Sequence, residues 1–287
     1  MQEFEFLSAS SVEEAVRFLA EGGGRVIAGG TDVLPQLRRE VISSNVFLDI
    51  TRLEELRFIR ERKGWVEIGA LTTYADLLNS DFLGHAAPSL VEAAATVGCP
   101  QTRNRGTIGG NIANASPAGD TLPPLLTYEA RAHVLRNGKE EVIPLGDLFA
   151  GPGQTILMEK DLLHSVSFRP LGKDEESVYL KLGNRKGMTI AVASLALKIK
   201  LPSPKKFGEA RVALGSVAPT PVRSPRAEQA LQGAKVGEEA MEQAARAVKE
   251  DISPISDVRA SAGRREEAAA VLLKRALQIV IERRMKS

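Results

Sequence analysis

Apolar residues at Val12, Ala15, Val16 and Leu19 recur at helical spacing behind the polar pair Ser10 and Ser11, and Gly22-Gly23-Gly24 follows. That pattern predicts a helix over 12–20, capped at its start and ended by glycine. Arg25–Ala28 then reads as a short strand running into a Gly-Gly turn, Asp32–Arg39 as a helix with Pro35 in its first turn, and Val46–Ile50 as a second strand. Further on, Trp65–Ala70 suits a strand, and Thr73–Leu78 and Ser89–Val97 have helical composition. Thr107–Ala118 is so rich in Gly, Asn, Ser and Pro that it predicts a structured loop. Ala132–Arg136 and Glu141–Pro144 flank Asn137-Gly138, a hairpin signature. A strand near Leu162–Phe168 follows the turn Gly151-Pro152-Gly153.

Pro170–Glu176 is polar, contains Gly172 and reads as a linker, after which the texture changes. Val178–Leu182, Ile190–Leu201 and Ala210–Val217 predict antiparallel strands, and the chain from Ala227 onward predicts helices. Leu272, Leu273, Ala276, Leu277 and Val280 form one apolar stripe on the last of these. Its end carries Arg283, Arg284 and Lys286, cations that suit a helix C-terminus. The fold class is therefore α+β, with the C-terminal third a separate sheet-plus-helix layer.

A chain of 287 residues is long enough for two domains, and 43% hydrophobic with 26% charged residues is globular composition. Lys and Arg number 38 against 36 Asp and Glu, a balance that gives no electrostatic case for nucleic acid. Apolar runs such as Ile190–Leu197 fall short of a membrane span. The start Met1-Gln2-Glu3-Phe4-Glu5 lacks a signal-peptide pattern, so the expected compartment is the cytoplasm. With Cys99 the one cysteine and three scattered histidines, no disulfide framework, cysteine-ligated cluster or zinc site is expected. Redox chemistry on this chain would need an organic cofactor.

Two segments carry candidate chemistry. Ile27-Ala28-Gly29-Gly30-Thr31-Asp32 places two glycines directly after a strand, where successive N–H groups can converge on phosphate oxygens. Thr107-Ile108-Gly109-Gly110-Asn111 repeats the arrangement, and two facing nests would suit a pyrophosphate. A lone Gly-Gly after a strand is more often a plain tight turn. Asp120 could cap a helix before Leu122, Lys181 could be a solvated strand residue, and Asn111 and Asn114 could stabilise turns. There is no Gly-x-Gly-x-x-Gly, no complete Walker A loop and no Gly-x-Ser-x-Gly.

Val26–Leu34 (VIAGGTDVL) and Gly106–Asp120 (GTIGGNIANASPAGD) resemble the paired flavin motifs of the FAD-binding subunit of xanthine dehydrogenase-type and carbon monoxide dehydrogenase-type molybdenum hydroxylases. Tyr179–Ala193, Arg211–Arg223 and Ser256–Leu277 resemble successive segments of that subunit's C-terminal domain, so five ordered blocks cover nearly the whole chain. The resemblance implies a two-lobed FAD-binding domain of the vanillyl-alcohol-oxidase (PCMH) type over 1–172, in lobes of about 1–56 and 57–172. A C-terminal α+β domain with an antiparallel sheet and helices would follow over 177–285.

It also implies non-covalent FAD, a partner subunit with [2Fe-2S] clusters and a large molybdopterin subunit, in a heterotrimer or its dimer. Electrons would reach FAD from the clusters and leave to NAD+ or another acceptor. The site residues it implies are Val26, Ile27, Ala28, Gly29, Gly30, Thr31, Asp32 and Val33, then Thr107, Ile108, Gly109, Gly110, Asn111, Asn114, Ser116 and Asp120, with Leu163 and Lys181 approaching from later strands. No residue of this chain is expected to be catalytic in its own right. A free-standing flavin-dependent oxidoreductase is the competing reading; such enzymes carry a different C-terminal domain. Two departures stand out: a single Cys cannot serve the inserted cluster loop of some relatives, and Gly263 stands where many have Tyr.

Overall fold

The computed structural model describes residues 4–185 and 187–286. Met1–Glu3 of the N-terminal segment, Lys186 of the Tyr179–Ala193 block and Ser287 lie outside the described residues.

Strands β1 (Glu5–Ser8), β2 (Arg25–Ile27) and β3 (Val46–Asp49) form a parallel sheet in the order β1-β3-β2. Phe6 pairs with Phe47 and Val26 with Leu48. The helix Val12–Ala20 crosses between β1 and β2, and Ser11 is its cap: the Ser11 hydroxyl accepts the Glu14 N–H at 3.1 Å. Strand β1 has no sequence signature because only four residues pair, at a solvent-facing edge. A second small helix, Val33–Arg38, fills the crossover from β2 to β3.

The next layer is a five-stranded antiparallel sheet of β4 (Ile59–Arg62), β5 (Trp65–Gly69), β6 (Arg131–Arg136), β7 (Lys139–Pro144) and, beyond the small pair β8 (Phe149–Gly151) and β9 (Gln154–Thr155), β10 (Asp161–Phe168). Its order is β4-β5-β10-β6-β7. The β6–β7 turn has positive φ at both Asn137 (51°) and Gly138 (75°), the backbone that a two-residue hairpin requires. Between β5 and β6 the chain runs through short helices that pack Leu77, Leu83, Leu90, Ile108 and Leu125 into one core. One of them, Ile108–Asn114, corrects the loop expected over 107–118. Ile108 and Ile112, four apart on one face, are buried, and that pair anchors about two turns of helix that composition does not show.

The third layer is antiparallel: β11 (Glu175–Gly183), β12 (Ala191–Lys200), β13 (Ala210–Gly215) and β14 (Val222–Arg223), in that order. Strand β11 begins inside the segment that reads as a linker, because Glu175 and Glu176 continue the ladder opposite Lys200 and Ile199. Helices Pro225–Leu231 and Ala262–Lys286 pack on this sheet, and Glu238–Ala247 packs on those two helices. All five residues of the predicted stripe are buried there, and burying a Leu or Val side chain stabilises by about 1.5–3 kcal/mol. The sheet also lies against helices of the second layer, Pro88–Ala95 on β11 and Leu122–Thr127 on β12 and β13. Arg265, buried at 1% exposure, donates to the carbonyls of Val192 and Ser216 and to Asp257. A Cβ on Gly263 would meet open space.

Candidate functional site

A cleft of about 920 Å³ opens between the parallel sheet and the second layer, near the upper end of ordinary ligand pockets (about 300–1,000 Å³). Val26, Ala28, Gly29, Gly30, Thr31, Asp32 and Val33 line one wall. Gly30 has φ +71°, the left-handed region that glycine enters without cost. A Cβ on Gly29 would lie 1.8 Å from the Arg105 carbonyl, so glycine is needed there for the two layers to meet. Among the described residues, the N–H groups of Gly29, Gly30, Thr31 and Asp32 donate to no protein acceptor. They belong to residues that line the cleft, and such consecutive free donors are the raw material of an anion nest. Ile27 belongs to the same segment but turns inward, buried with Leu37 and Phe47.

The opposite wall carries Thr107, Gly109, Gly110, Asn111 and Asn114. Its chemistry differs from the expected second nest. The Ile108 N–H is bonded to the Thr72 carbonyl and the Gly109 N–H to that of Ala70, both at 2.9 Å. The Thr107 hydroxyl accepts the Gly110 N–H at 3.0 Å, capping the helix Ile108–Asn114. The Asn111 N–H donates to the Thr107 carbonyl at 3.0 Å, so all four N–H groups of Ile108–Asn111 are already satisfied and the hydroxyl acts as acceptor, unlike a second equivalent nest. The paired glycines also have separate jobs. A Cβ on Gly109 would meet the Ala70 carbonyl at 2.6 Å, whereas on Gly110 it would meet only the Thr107 hydroxyl, at 2.9 Å. Gly109 serves packing against the end of β5; Gly110 keeps the wall low. Ile108 is fully buried in the second-layer core and does not line the cleft.

Two polar links fix the walls. The Gln36 amide donates to the Asn114 side-chain oxygen at 3.1 Å, tying Val33–Arg38 to Ile108–Asn114 across the cleft. The Thr121 hydroxyl donates to the Asn111 side-chain oxygen at 2.7 Å. Asn111 and Asn114 thus bond beyond their own turns. Leu163, on β10, contributes apolar floor, and Tyr74 closes the inner end. Burial raises the Tyr74 hydroxyl far above its usual range, so it stays protonated. Partial desolvation at the cleft raises the Asp32 carboxyl above its ordinary value. Gln36 and Tyr74 have no sequence marker: both are ordinary helix residues until the fold brings them to the cleft.

Asp120 and Lys181 are brought to each other, outside the lining of this cleft. Their side chains pair at 2.7 Å, 9% and 6% exposed. The Tyr179 hydroxyl donates to the other Asp120 oxygen at 2.7 Å, and Lys181 also donates to the Thr96 carbonyl. Burial pushes the Asp120 carboxyl up, opposed by Lys181 and by the Tyr179 hydrogen bond. Neither bland expectation holds: Asp120 does not cap Leu122–Thr127, and Lys181 is not solvated. Ser116 makes a local turn, its hydroxyl accepting the Ala118 N–H, away from the cleft lining. Among the described residues, no group of three His, Cys, Asp or Glu could hold a metal ion. None of their helices is long and apolar enough to cross a membrane.

A glycine nest facing a low, capped helix start across a deep cleft suits a phosphate-bearing ligand, and the chain as a whole matches known proteins. Residues 2–170 match the FAD binding domain in molybdopterin dehydrogenase, and residues 178–280 match the CO dehydrogenase flavoprotein C-terminal domain. The glyceraldehyde dehydrogenase medium chain of Sulfolobus acidocaldarius is 36% identical, covering 97% of this chain and 98% of that one. The xanthine dehydrogenase FAD-binding subunit of Escherichia coli O157:H7 is 33% identical over 90% of each chain. Among solved structures, a carbon monoxide dehydrogenase chain of Hydrogenophaga pseudoflava superposes with a TM-score of 0.93 at 33% identity, covering 96% of both chains. The chain belongs to this family, as the FAD-binding subunit of a molybdenum-containing dehydrogenase.

Proposed function

We propose that the chain holds FAD non-covalently in the 920 Å³ cleft and relays electrons between partner [2Fe-2S] clusters and NAD+ or another acceptor. The observation that carries the reading is the run of unsatisfied N–H groups from Gly29 to Asp32 facing Gly110 and Asn111. Those donors would take one side of the pyrophosphate, and no cation of the two segments stands between them. Val26, Ala28 and Val33 would line the adenosine region, while Ile27 and Ile108 would hold their segments in place from behind. On the far side Gly110 leaves room, Asn111 and Asn114 present side chains fixed by Thr121 and Gln36, and Thr107 holds the helix start rigid. Leu163 supplies apolar surface from β10. Asp120, Ser116 and Lys181 would act at the other end of the cofactor, Asp120 and Lys181 as a fixed pair joining the second and third layers.

Bound FAD would supply acceptance of single electrons and release of a pair, the junction such a relay needs. Substrate would be oxidised on a large molybdopterin subunit, with an iron–sulfur subunit between, in a heterotrimer or its dimer; the medium-chain relatives support this composition. We also propose the domain boundary at 172–177, where the irregular stretch after β10 runs into the start of β11 at Glu175.

Co-expression with the partner chains and rapid mixing with reductant tests the relay. Iron–sulfur absorbance should bleach before flavin absorbance, and NAD+ or another acceptor should restore the flavin. A flavin that small alcohols or aldehydes reduce without the partner chains would instead make this a free-standing oxidoreductase.

A further inference from the structure

The two walls of the large cleft match turn for turn beyond their glycines. Gln36 follows Asp32 by four residues into the helix Val33–Arg38, and Asn114 follows Gly110 by four on the helix Ile108–Asn114. Residues four apart share a helix face, so each stands one turn beyond the level where the pyrophosphate would sit. There the Gln36 Nε2 donates to the Asn114 Oδ1 at 3.1 Å, and both residues line the cleft. The Asn114 end is firmly held. Ala115, fully buried with φ +46°, turns the chain out of the helix, and its carbonyl accepts the Gly153 N–H at 3.0 Å from the β8–β9 turn. The Gln36 end is lightly held, because Leu37 is the one buried residue of its six-residue helix.

Buried contacts among Leu48, Leu53, Leu71 and Leu162 join the two layers permanently, whereas this amide pair can part and re-form. A hydrogen bond between two neutral, half-buried amides is weak, so it opens without unfolding either helix. A bond that bridges opposite walls must break before a long ligand can pass between them. We propose that Gln36 and Asn114 form a strap across the cleft, which opens to admit or release FAD and closes again afterwards. The strap presupposes that FAD occupies this cleft. Closed both with and without the cofactor, it contributes equally to the two end states, so it slows entry and exit alike and leaves affinity nearly unchanged. Gln36 is then a positioning residue that acts by gating; a direct contact to FAD would instead slow release alone.

Stopped-flow mixing of the full-length apoprotein with FAD gives the entry rate, and release of radiolabelled FAD into excess unlabelled FAD gives the exit rate. Gln36→Leu removes the amide at similar volume and leaves Asn114 in place. It should raise both rates about three- to tenfold, the size of one neutral hydrogen bond, with Kd within about twofold of the parent. In the unmutated protein, the Gln36 side-chain amide protons should keep a hydrogen-bonded NMR shift in both the apo and FAD-bound states, which reads the strap even if the variant misfolds. A parent that takes up no FAD would remove the flavin reading and the strap with it. Normal uptake with unchanged rates in Gln36→Leu, faster release without faster entry, or a Gln36 amide set free by FAD binding would overturn the strap alone.

Discussion

Single residues matter here where burial leaves a polar group no alternative partner. Asp120, Lys181 and Tyr179 are such a set, and breaking a buried ion pair costs about 3–5 kcal/mol because one charge is left alone. Lys181→Met should therefore lower the urea unfolding midpoint strongly, and Asp120→Leu added to it should restore most of the loss. A midpoint unchanged in the single variant would show that the pair is not closed in solution. Asp257 gives a pH signature. The Arg259 guanidinium, working against a smaller desolvation, together with backbone N–H groups and Arg265, holds its carboxyl well below the ordinary value of 3.8. A folded pKa below the unfolded one contributes stability that is complete above the unfolded value and lost as pH falls toward the folded one. Parent and Asp257→Asn should then differ in thermal midpoint at neutral pH and converge as the pH is taken below about 4. At this scale the sequence was only partly legible. Gly29 and Gly30 announce a turn, but Asp120 and Lys181 stand 61 positions apart and meet only through folding, and nothing local marks it.

Elements follow their hydrophobic period closely where they are long. Val12–Ala20 forms over the predicted span, and the stripe on the C-terminal helix is buried throughout. Short elements escape, because the helix Ile108–Asn114 owes its existence to a Thr cap and two carbonyl acceptors supplied by residues 70 and 72. Its two glycines should respond differently. Gly109→Ala drives a Cβ into the Ala70 backbone and should cost about 1–3 kcal/mol of stability. Gly110→Ala meets only the cap hydroxyl and should leave stability within about 1 kcal/mol of the parent while weakening FAD retention. Thr107→Ala should cost about 1 kcal/mol through loss of the cap, and Thr107→Ser should recover it. Chemical denaturation paired with flavin absorbance separates these effects; equal behaviour of the two glycine variants would refute the division of labour.

On the scale of the whole molecule, the three layers are joined by polar contacts as well as apolar ones. Arg283 reaches from the last helix to Glu92, Arg211 and Arg223 reach Glu129, and Lys181 reaches Asp120. These ties hold the third layer against the second. The α+β class and its separate C-terminal layer could be read from periodicity, whereas the position of the large cleft came from how the parallel sheet meets the second layer. The central claim is that this cleft holds FAD through the Gly29–Asp32 donors. Its most direct test is equilibrium titration of apoprotein with FAD, followed by acid denaturation to release the flavin, for the parent and for Gly30→Val, which forces a branched side chain into the left-handed backbone at φ +71°. The account predicts about one FAD per chain in the parent, released intact, and loss of binding in a variant whose circular dichroism is unchanged. Full FAD retention by folded Gly30→Val, or a parent that takes up none, would contradict it.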